Sequence, residues 1–219
     1  MQITDCHIHI QPAEMFKAGP LEVMKKARGR YDDILEYCRS PKALLKYLDS
    51  IGVERAVLIN YVAPDTMGFT HEVNQWVADY CKENPRRLIS CGSVHPRHTR
   101  NVQEEMDKLV RLGIRLIKIH PPHQLLYAND YLNGVKELEI VYRGAEANGI
   151  PVMIHTGTSI FPDTLNLKCT IQVSVVGARP LFYIDEPDHP LAVEQKQGIS
   201  LERVQQIASK LCTKKDRVV

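Results

Sequence analysis

The stretch "MQITDCHIHI" (residues 1–10) places an aspartate and two histidines at alternating positions in an otherwise apolar run. In a β-strand, side chains two residues apart lie on the same face, so Asp5, His7 and His9 would point one way and the side chains between them the other. The apolar, β-branched character of the run favours a buried strand. We therefore expect three polar side chains to converge on one small volume.

Four further short runs rich in apolar and β-branched residues follow, and each is typical of a buried strand. They are "RAVLINY" (55–61), "RLISCGSV" (87–94), "IRLIKIH" (114–120) and "IPVMIH" (150–155). Amphipathic stretches lie between them, and we predict helices that begin after Ser40, Thr70, Thr99 and Gly134. Three of these helices end at a glycine, namely Gly52, Gly113 and Gly149. The alternation predicts an α/β fold with a parallel sheet, either a TIM barrel or an open doubly wound sheet.

Polar side chains at the ends of the predicted strands favour the barrel, because functional groups of a barrel lie at the carboxyl ends of its strands. The polar residues at those positions are His7, His9, Asn60, Tyr61, His95, Lys118, His120 and His155. An open nucleotide-binding sheet would need a glycine-rich turn after the first strand, and "HIQPAE" (9–14) is not one. We predict a (β/α)8-type TIM barrel.

The composition excludes several classes of protein. With 219 residues, of which 44% are hydrophobic, the chain fits one globular domain, 1–219. The net charge of +2, with basic residues scattered among acids, argues against nucleic acid or a membrane as partner and leaves a small-molecule substrate. The six cysteines form no CxxC pair. No signal peptide or long apolar run is evident, so we expect a cytoplasmic protein.

The connection from about residue 10 to 40 is long for the first loop of a barrel. It carries a basic cluster that consists of Lys25, Lys26, Arg28 and Arg30. A long loop at the catalytic end often acts as a lid. The alternative is an ordinary solvated helix over "LEVMKKARG" (21–29).

His7 and His9 could each offer one imidazole nitrogen to a divalent metal. Asp5 could accept a hydrogen bond from one of these histidines or serve as a further ligand. His155 follows the fifth strand and would supply the third ligand of an open site, in which water or substrate completes the coordination. The alternative is a set of hydrogen-bonded histidines in the core. We prefer the metal site because a double histidine on one face of a buried strand is a rare way to fill a core.

Lys118 and His120 alternate on the fourth predicted strand, so both could face the interior. A buried lysine needs a carboxylate partner, a carbamate modification or an anionic substrate. The alternative to a functional role is a lysine that is paired only with a structural acid. We predict that His120 contacts substrate or transfers a proton. Prolines that end the strands explain the repeats "HPRH" (95–98) and "HPPH" (120–123). We expect the remaining histidines to lie at the surface: His71, His98 and His123.

Three pieces of the sequence, "TDCHIH", "RLIKIHPP" and "PVMIHTG", together resemble the amidohydrolase-related family of metal-dependent hydrolases and decarboxylases. The resemblance covers residues 1–161. It implies a distorted TIM barrel in which His7, His9 and His155 are metal ligands, usually of zinc.

Residues 162–219 depart from the pattern of that family. "VVGARP" resembles a His-Gly-Gly-Arg-Pro segment with Val176 in place of the histidine, and "LFYIDEP" would make Asp185 the metal-binding and catalytic aspartate of the last strand. The region is shorter than three βα units of about 30 residues each need. We therefore expect a barrel that is incomplete or distorted after strand five, and a homo-oligomer is one way to cover its open edge. "GISLERVQQIASKLC" (198–212) reads as a closing amphipathic helix.

The first hypothesis is therefore a metal-dependent hydrolase or decarboxylase that acts on a small carboxylated, amide or lactone substrate. His7, His9, His155 and Asp185 would hold a zinc-like ion, and Lys118 or His120 would assist. The second is a non-catalytic derivative of the family, suggested by Val176 and the short last region. The third is a metal-dependent nuclease or phosphoesterase of the same superfamily, against which the lack of a basic surface stripe weighs.

Overall fold

Each of the five predicted runs forms a strand in the computed structural model of the chain, which describes residues 3–27, 30–155, 159–161 and 164. The strands are β1 (Ile3–His9), β2 (Val53–Ile59), β3 (Leu88–Gly92), β4 (Leu116–Ile119) and β5 (Val152–Ile154). They pair in sequence order, and every neighbouring pair is parallel. The described residues thus form a curled half-barrel, which confirms the predicted fold class with an incomplete barrel.

Helices connect consecutive strands of this sheet. They are α1 (Ala18–Ala27), α2 (Tyr31–Arg39), α3 (Pro41–Ser50), α4 (Glu72–Cys81), α5 (Val102–Arg111), α6 (Pro121–Gln124) and α7 (Lys136–Ala147). Two short 3-10 helices lie at Ala13–Met15 and Asp130–Asn133. Within the described ranges, each helix is too short or too polar to cross a lipid bilayer.

Alternation along the strands divides the apolar side chains between two sides of the sheet. On the outer side, Leu58 and Ile117 belong to the main core with residues of α3, α4, α5 and α7. On the inner side, a smaller cluster consists of Val57, Ile59, Cys91, Leu116 and Met153. Lys118 follows Leu116 by two residues and therefore shares the inner side. The carboxyl ends of the strands, which carry the predicted site, continue from this inner cluster.

Three of the four predicted helix starts are shifted by one or two residues, and α7 begins after Val135 rather than Gly134. Ser40 caps α3 as predicted, since its hydroxyl accepts a hydrogen bond from the Ala43 N–H at 3.2 Å. The prediction of Thr99 for α5 is wrong, because Asn101 accepts from the Glu104 N–H and asparagine is the stronger N-cap. Helix α4 begins after His71 rather than Thr70. The three predicted glycine ends are confirmed by positive φ angles.

The long first connection consists largely of helices α1 and α2. Its basic residues include Lys25, which pairs with Glu22 at 3.0 Å, and Arg30, which pairs with Asp33 at 2.5 Å. These pairs are exposed and local, as the solvated-helix alternative expects. Arg28 lies outside the described residues.

The segment before α1 packs on the loop between β2 and α4. The Lys17 N–H donates to the Met67 carbonyl at 2.9 Å, and Phe16 stacks edge-on against Phe69 with ring centres 4.7 Å apart. Gly68 allows this close approach, because a Cβ there would lie 2.2 Å from the Met15 carbonyl oxygen. The contact fixes the connection over the end of β2, next to the predicted site.

We expect Gly68→Ala to destabilise the fold by on the order of 3 kcal/mol, because it combines a steric clash with backbone strain at a φ of +96°. Gly52→Ala is the matched control: it also has a positive φ, of +73°, but its Cβ would meet open space. That change should cost only about 1 kcal/mol. Urea unfolding of both variants measures the difference, and equal losses would contradict a close packing of the two loops.

Candidate active site

The two histidines of β1 lie side by side, with the His7 and His9 Nε2 atoms 2.9 Å apart. A register shift in the pairing of β1 with β2 between Asp5 and Ile8 accompanies this arrangement. The Asp5 carboxylate accepts a hydrogen bond from the backbone N–H of His7 at 2.8 Å. Asp5 thus satisfies the backbone at an irregular point of the strand, while the two imidazole nitrogens face each other.

Three further histidines form a stack at the ends of β4 and β5. The ring of His120 lies between those of His155 and His123, with centres 4.2 Å and 3.8 Å away and nearly parallel planes. Tyr61, after β2, links the stack to β1: its ring centre lies 4.6 Å from that of His120 and 6.1 Å from that of His9. These side chains form the histidine cluster, which consists of His7, His9, His120, His123, His155 and Tyr61.

The expectation that His123 lies at the surface is wrong, since its exposed fraction is only 4%. The "HPPH" repeat does more than end a strand: Pro121 and Pro122 begin α6, where a missing backbone N–H costs nothing. The helix turns His123 back towards the site. There His123 Nδ1 lies 2.8 Å from the Tyr61 hydroxyl, and Nε2 lies 2.7 Å from the Ser159 hydroxyl.

Burial keeps the inner histidines neutral. It lowers the pKa of His120 well below the usual value, and neighbouring His123, His155 and Lys118 lower it further. Burial likewise lowers the pKa of His123 to about 3. Lys118 itself is fully buried on the inner side of β4, as predicted. At neutral pH, His120 and His123 therefore act as uncharged hydrogen-bonding groups.

A buried amide network, which the sequence patterns did not indicate, supports the end of β4. Gln124 Nε2 donates to the Val62 carbonyl at 3.0 Å, to Ser93 Oγ at 3.2 Å and to the Val94 carbonyl at 3.3 Å. Its Oε1 accepts from the backbone N–H of His120 at 2.9 Å. Gln124 thus joins the segments that follow β2 and β3 to the backbone of His120, a member of the histidine cluster.

The other predicted site histidine, His95, lies at the rim among Asp65, His71 and His98. Its exposed fraction is 4%, and its ring centre is 5.7 Å from that of His98. His98 is exposed, as expected, whereas His71 is half-buried and lies 2.8 Å from the Thr99 hydroxyl. Burial and His98 lower the pKa of His95 to about 4, although Asp65 opposes the shift.

The lowered pKa of His95 predicts that the folded protein loses stability in acid. That pKa of about 4 in the folded chain lies below the value of about 6.5 in an unfolded chain. The unfolded state therefore binds more protons between those values, and stability falls as the pH drops from 6.5 to 4. The slope is at most about 1.4 kcal/mol per pH unit for one histidine.

Urea unfolding of metal-free protein at pH 7.5, 5.5 and 4.5 tests this expectation. His95→Gln should flatten the dependence, whereas the exposed control His98→Gln should leave it nearly unchanged. An unaltered slope in His95→Gln would contradict the assignment.

Imidazole nitrogens are suitable donors for zinc and manganese, and the convergence of His7 and His9 fits two neighbouring ligands. Among the described residues, Asn60 Nδ2, His95 Nδ1 and His120 Nδ1 are buried without a hydrogen-bond partner. In the same part of the chain, no three histidine, cysteine, aspartate or glutamate side chains are grouped as a complete metal site. A bound ion would therefore need ligands in addition to the pair on β1.

Among the described residues, His155 is the candidate for the third ligand, because its ring belongs to the same histidine cluster. Asp185, predicted as the remaining metal and catalytic residue, lies outside the described residues, as does Val176.

Several solved structures resemble this chain and share the TIM-barrel fold at low sequence identity. A 5-carboxyvanillate decarboxylase from Novosphingobium aromaticivorans, solved with bound manganese, is 17% identical, with a TM-score of 0.55 over 72% of this chain and 51% of that one. A 2,6-dihydroxybenzoate decarboxylase, complexed with 2,6-dihydroxybenzoate, is 18% identical, with a TM-score of 0.54 over 73% and 52%. An uncharacterised TIM-barrel protein from Bordetella bronchiseptica is 22% identical, with a TM-score of 0.51 over 74% and 58%.

The chain spans only about half the length of these structures. No curated protein matches it. The sequence profile of the amidohydrolases matches residues 4–204, which is most of the chain. The match includes all three pieces on which the resemblance rested. The strand order, with neighbours in sequence order, agrees with the TIM barrel that the resemblance implies. The chain therefore belongs to the amidohydrolase family.

Proposed function

We propose that this protein is a metal-dependent hydrolase or decarboxylase that acts on a small carboxylated, amide or lactone substrate. The observation that carries the proposal is the convergence of the His7 and His9 Nε2 atoms, 2.9 Å apart, at the carboxyl end of β1. Membership of the amidohydrolase family supports it. Two of the structural neighbours are decarboxylases, and they suggest decarboxylation as the alternative to hydrolysis.

In this proposal, His7, His9 and His155 hold one divalent ion, with zinc as the first candidate and manganese as the second. The described residues account for two converging imidazoles and a third imidazole in the same cluster. Asp185 would complete the set. Such an ion would act as a Lewis acid on a substrate oxygen or lower the pKa of a bound water.

The remaining side chains of the cluster would bind and orient the substrate. His120 is neutral and stacked between two rings, so it can exchange a hydrogen bond with substrate but is a weak base. Lys118, fully buried two residues before His120 on β4, would contact an anionic substrate group. Tyr61 and Phe161 flank His123 and restrict access of water on that side.

A substrate panel tests the proposal. The protein, loaded with zinc or manganese, is offered 5-carboxyvanillate, 2,6-dihydroxybenzoate, an aryl lactone and an aryl amide, and release of carbon dioxide or acid is measured. We expect metal-dependent turnover of one class, with a loss of about 1,000-fold or more in His7→Ala/His9→Ala. Turnover that persists in the double variant would contradict the proposed ligands. Full metal occupancy without turnover of any class would favour the non-catalytic hypothesis.

A further inference from the structure

Gln124 holds both backbone groups of His120. Its side-chain oxygen Oε1 accepts a hydrogen bond from the His120 N–H at 2.9 Å, and its own backbone N–H donates to the His120 carbonyl at 2.8 Å. His120 directly precedes α6, and Gln124 is the last residue of that helix. The two hydrogen bonds close a ring across the single turn of α6, so the backbone at His120 cannot rotate unless Gln124 moves with it.

The same amide reaches the segments that follow β2 and β3. Its Nε2 donates to the Val62 carbonyl at 3.0 Å, to Ser93 Oγ at 3.2 Å and to the Val94 carbonyl at 3.3 Å. Val62 directly follows Tyr61, and Val94 directly precedes His95. One fully buried side chain therefore ties together three segments, each of which carries a polar residue at the end of a strand.

These partners fix the orientation of the Gln124 amide. An N–H donor faces Oε1, whereas two carbonyl acceptors face Nε2. A flipped amide would set its NH2 group against the His120 N–H and its oxygen against the carbonyls of Val62 and Val94. At a fully buried position, those lost hydrogen bonds cannot be replaced by water, so the side chain has one favourable arrangement.

The turn directly after Gln124 carries backbone strain. Leu125 has a φ of +52°, and among the described residues it is the one non-glycine residue with a positive φ. The left-handed conformation is unfavourable for a residue with a Cβ, and it persists only where the surrounding structure constrains the backbone. The hydrogen bonds of Gln124 supply such a constraint on the residue before the strained turn.

The segments that Gln124 joins carry rings that meet in the histidine cluster. The ring centres of Tyr61 and His120 lie 4.6 Å apart, and the Tyr61 hydroxyl lies 2.8 Å from His123 Nδ1. His123 directly precedes Gln124, and Thr66 Oγ1 donates to its carbonyl at 2.8 Å. The contacts of Tyr61 with the two histidines therefore span the same two segments that the amide joins.

We propose that Gln124 is a positioning residue of the active site, which sets the contact between the His120 and Tyr61 rings and thereby the direction in which His120 meets the substrate. The inference rests on the proposed function, in which His120 binds the substrate. Gln124 is itself fully buried, so it acts through the backbone of His120 and the carbonyl of Val62. A misplacement of about 1 Å at a substrate-binding group can cost on the order of 100-fold in rate.

Gln124→Met tests the positioning in metal-free protein, because methionine keeps the length of the side chain and loses its hydrogen bonds. In protein labelled with ¹³C and ¹⁵N in histidine, the ring C–H resonances report ring contacts, since each aromatic ring shifts the protons that lie over its face. His120→Gln and His123→Gln assign the two resonances. We expect Gln124→Met to shift both and to weaken the nuclear Overhauser effect between the Tyr61 and His120 rings.

Leu45→Ala is the control for a loss of stability alone. Leu45 is a half-buried residue of α3 that packs against the main core, so its truncation destabilises the fold without removing a hydrogen bond of the amide. The histidine resonances should stay in place in this variant. A shift as large as in Gln124→Met would overturn the proposal, because any destabilised variant would then produce it.

Gln124→Asn is the second variant and keeps the test decisive if Gln124→Met does not fold. Asparagine retains the amide but is one methylene shorter, so it cannot reach the His120 N–H and the Val62 carbonyl together. We expect the same two resonances to shift. Unchanged resonances of His120 and His123 in a folded variant of either kind would overturn the proposal.

Turnover of metal-loaded protein separates positioning from metal binding. Gln124→Met should keep the metal-to-protein ratio of the unmodified protein, because its hydrogen bonds go to the ends of β2, β3 and β4, whereas the proposed ligands lie on β1 and after β5. On the substrate that the unmodified protein accepts, we expect kcat/KM to fall about tenfold or more in Gln124→Met and less than about twofold in Leu45→Ala.

An unchanged kcat/KM in folded Gln124→Met would overturn the proposal. Absence of turnover by the unmodified protein would count against the proposed function instead, and the spectrum of the metal-free protein would still decide whether Gln124 positions His120.

Discussion

Zinc or manganese should raise the melting temperature of the metal-free protein, and His7→Gln/His9→Gln should abolish that rise. A ligand that binds only the folded state stabilises it by about 4 kcal/mol at a concentration 1,000 times its dissociation constant. The glutamines keep polar side chains of similar reach on β1 but remove both imidazole nitrogens, which lie 2.9 Å apart. The expected loss is therefore nearly the whole metal-dependent shift.

Thermal melting over a series of metal concentrations measures this effect. His98→Gln is the control, because it removes an exposed histidine, outside the proposed ligand set, whose ring lies 3.8 Å from Asp65. An equal metal-dependent shift in the β1 double variant and in the unmodified protein would place the ion elsewhere.

The second large effect is expected at Gln124. In Gln124→Glu, a carboxylate oxygen would replace the amide nitrogen that donates to the Val62 and Val94 carbonyls. Acceptors would then face acceptors at a fully buried position, and either an unpaired charge or a protonated acid must be accommodated. We expect a loss of on the order of 3–5 kcal/mol in the free energy of unfolding.

Gln103→Glu is the matched control for Gln124→Glu. Gln103 is an exposed glutamine of α5 that bonds Asp107 one turn away, so its replacement should cost about 0.5 kcal/mol or less. Chemical denaturation of both variants provides the comparison. Similar small losses in the two variants would mean that the network at Gln124 does not support the end of β4.

Strands β2, β3 and β4 could be predicted from the sequence because their residues are largely buried between two apolar layers, which leaves continuous apolar runs. The expectation of a buried first strand is wrong, since the residues of β1 are exposed or half-buried and Ile3 is 43% exposed. The β1 histidines could be predicted because alternation on a strand is a local rule. His123 could not, since its burial depends on two prolines that start α6 instead of only ending β4. A local pattern does not show where such a turn directs the next side chain.

The amide network was missed for a related reason. Gln124 donates its hydrogen bonds to residues about 30 and 62 positions earlier in the chain, and the sequence carries no periodic signal for such distant partners. Asn74 likewise bonds both backbone groups of Ser93 across 19 residues. A buried amide within a polar stretch has the composition of a loop, so only the fold shows that it ties strand ends together.

The central claim is that β1 and β5 hold a divalent metal, and the metal-to-protein ratio tests it most directly. Protein purified without chelator is measured by elemental mass spectrometry beside His7→Ala/His9→Ala, with circular dichroism to confirm that both are folded. We predict about one ion per chain in the unmodified protein and almost none in the variant. A ratio near zero in well-folded unmodified protein, or an equal ratio in the variant, would contradict the claim.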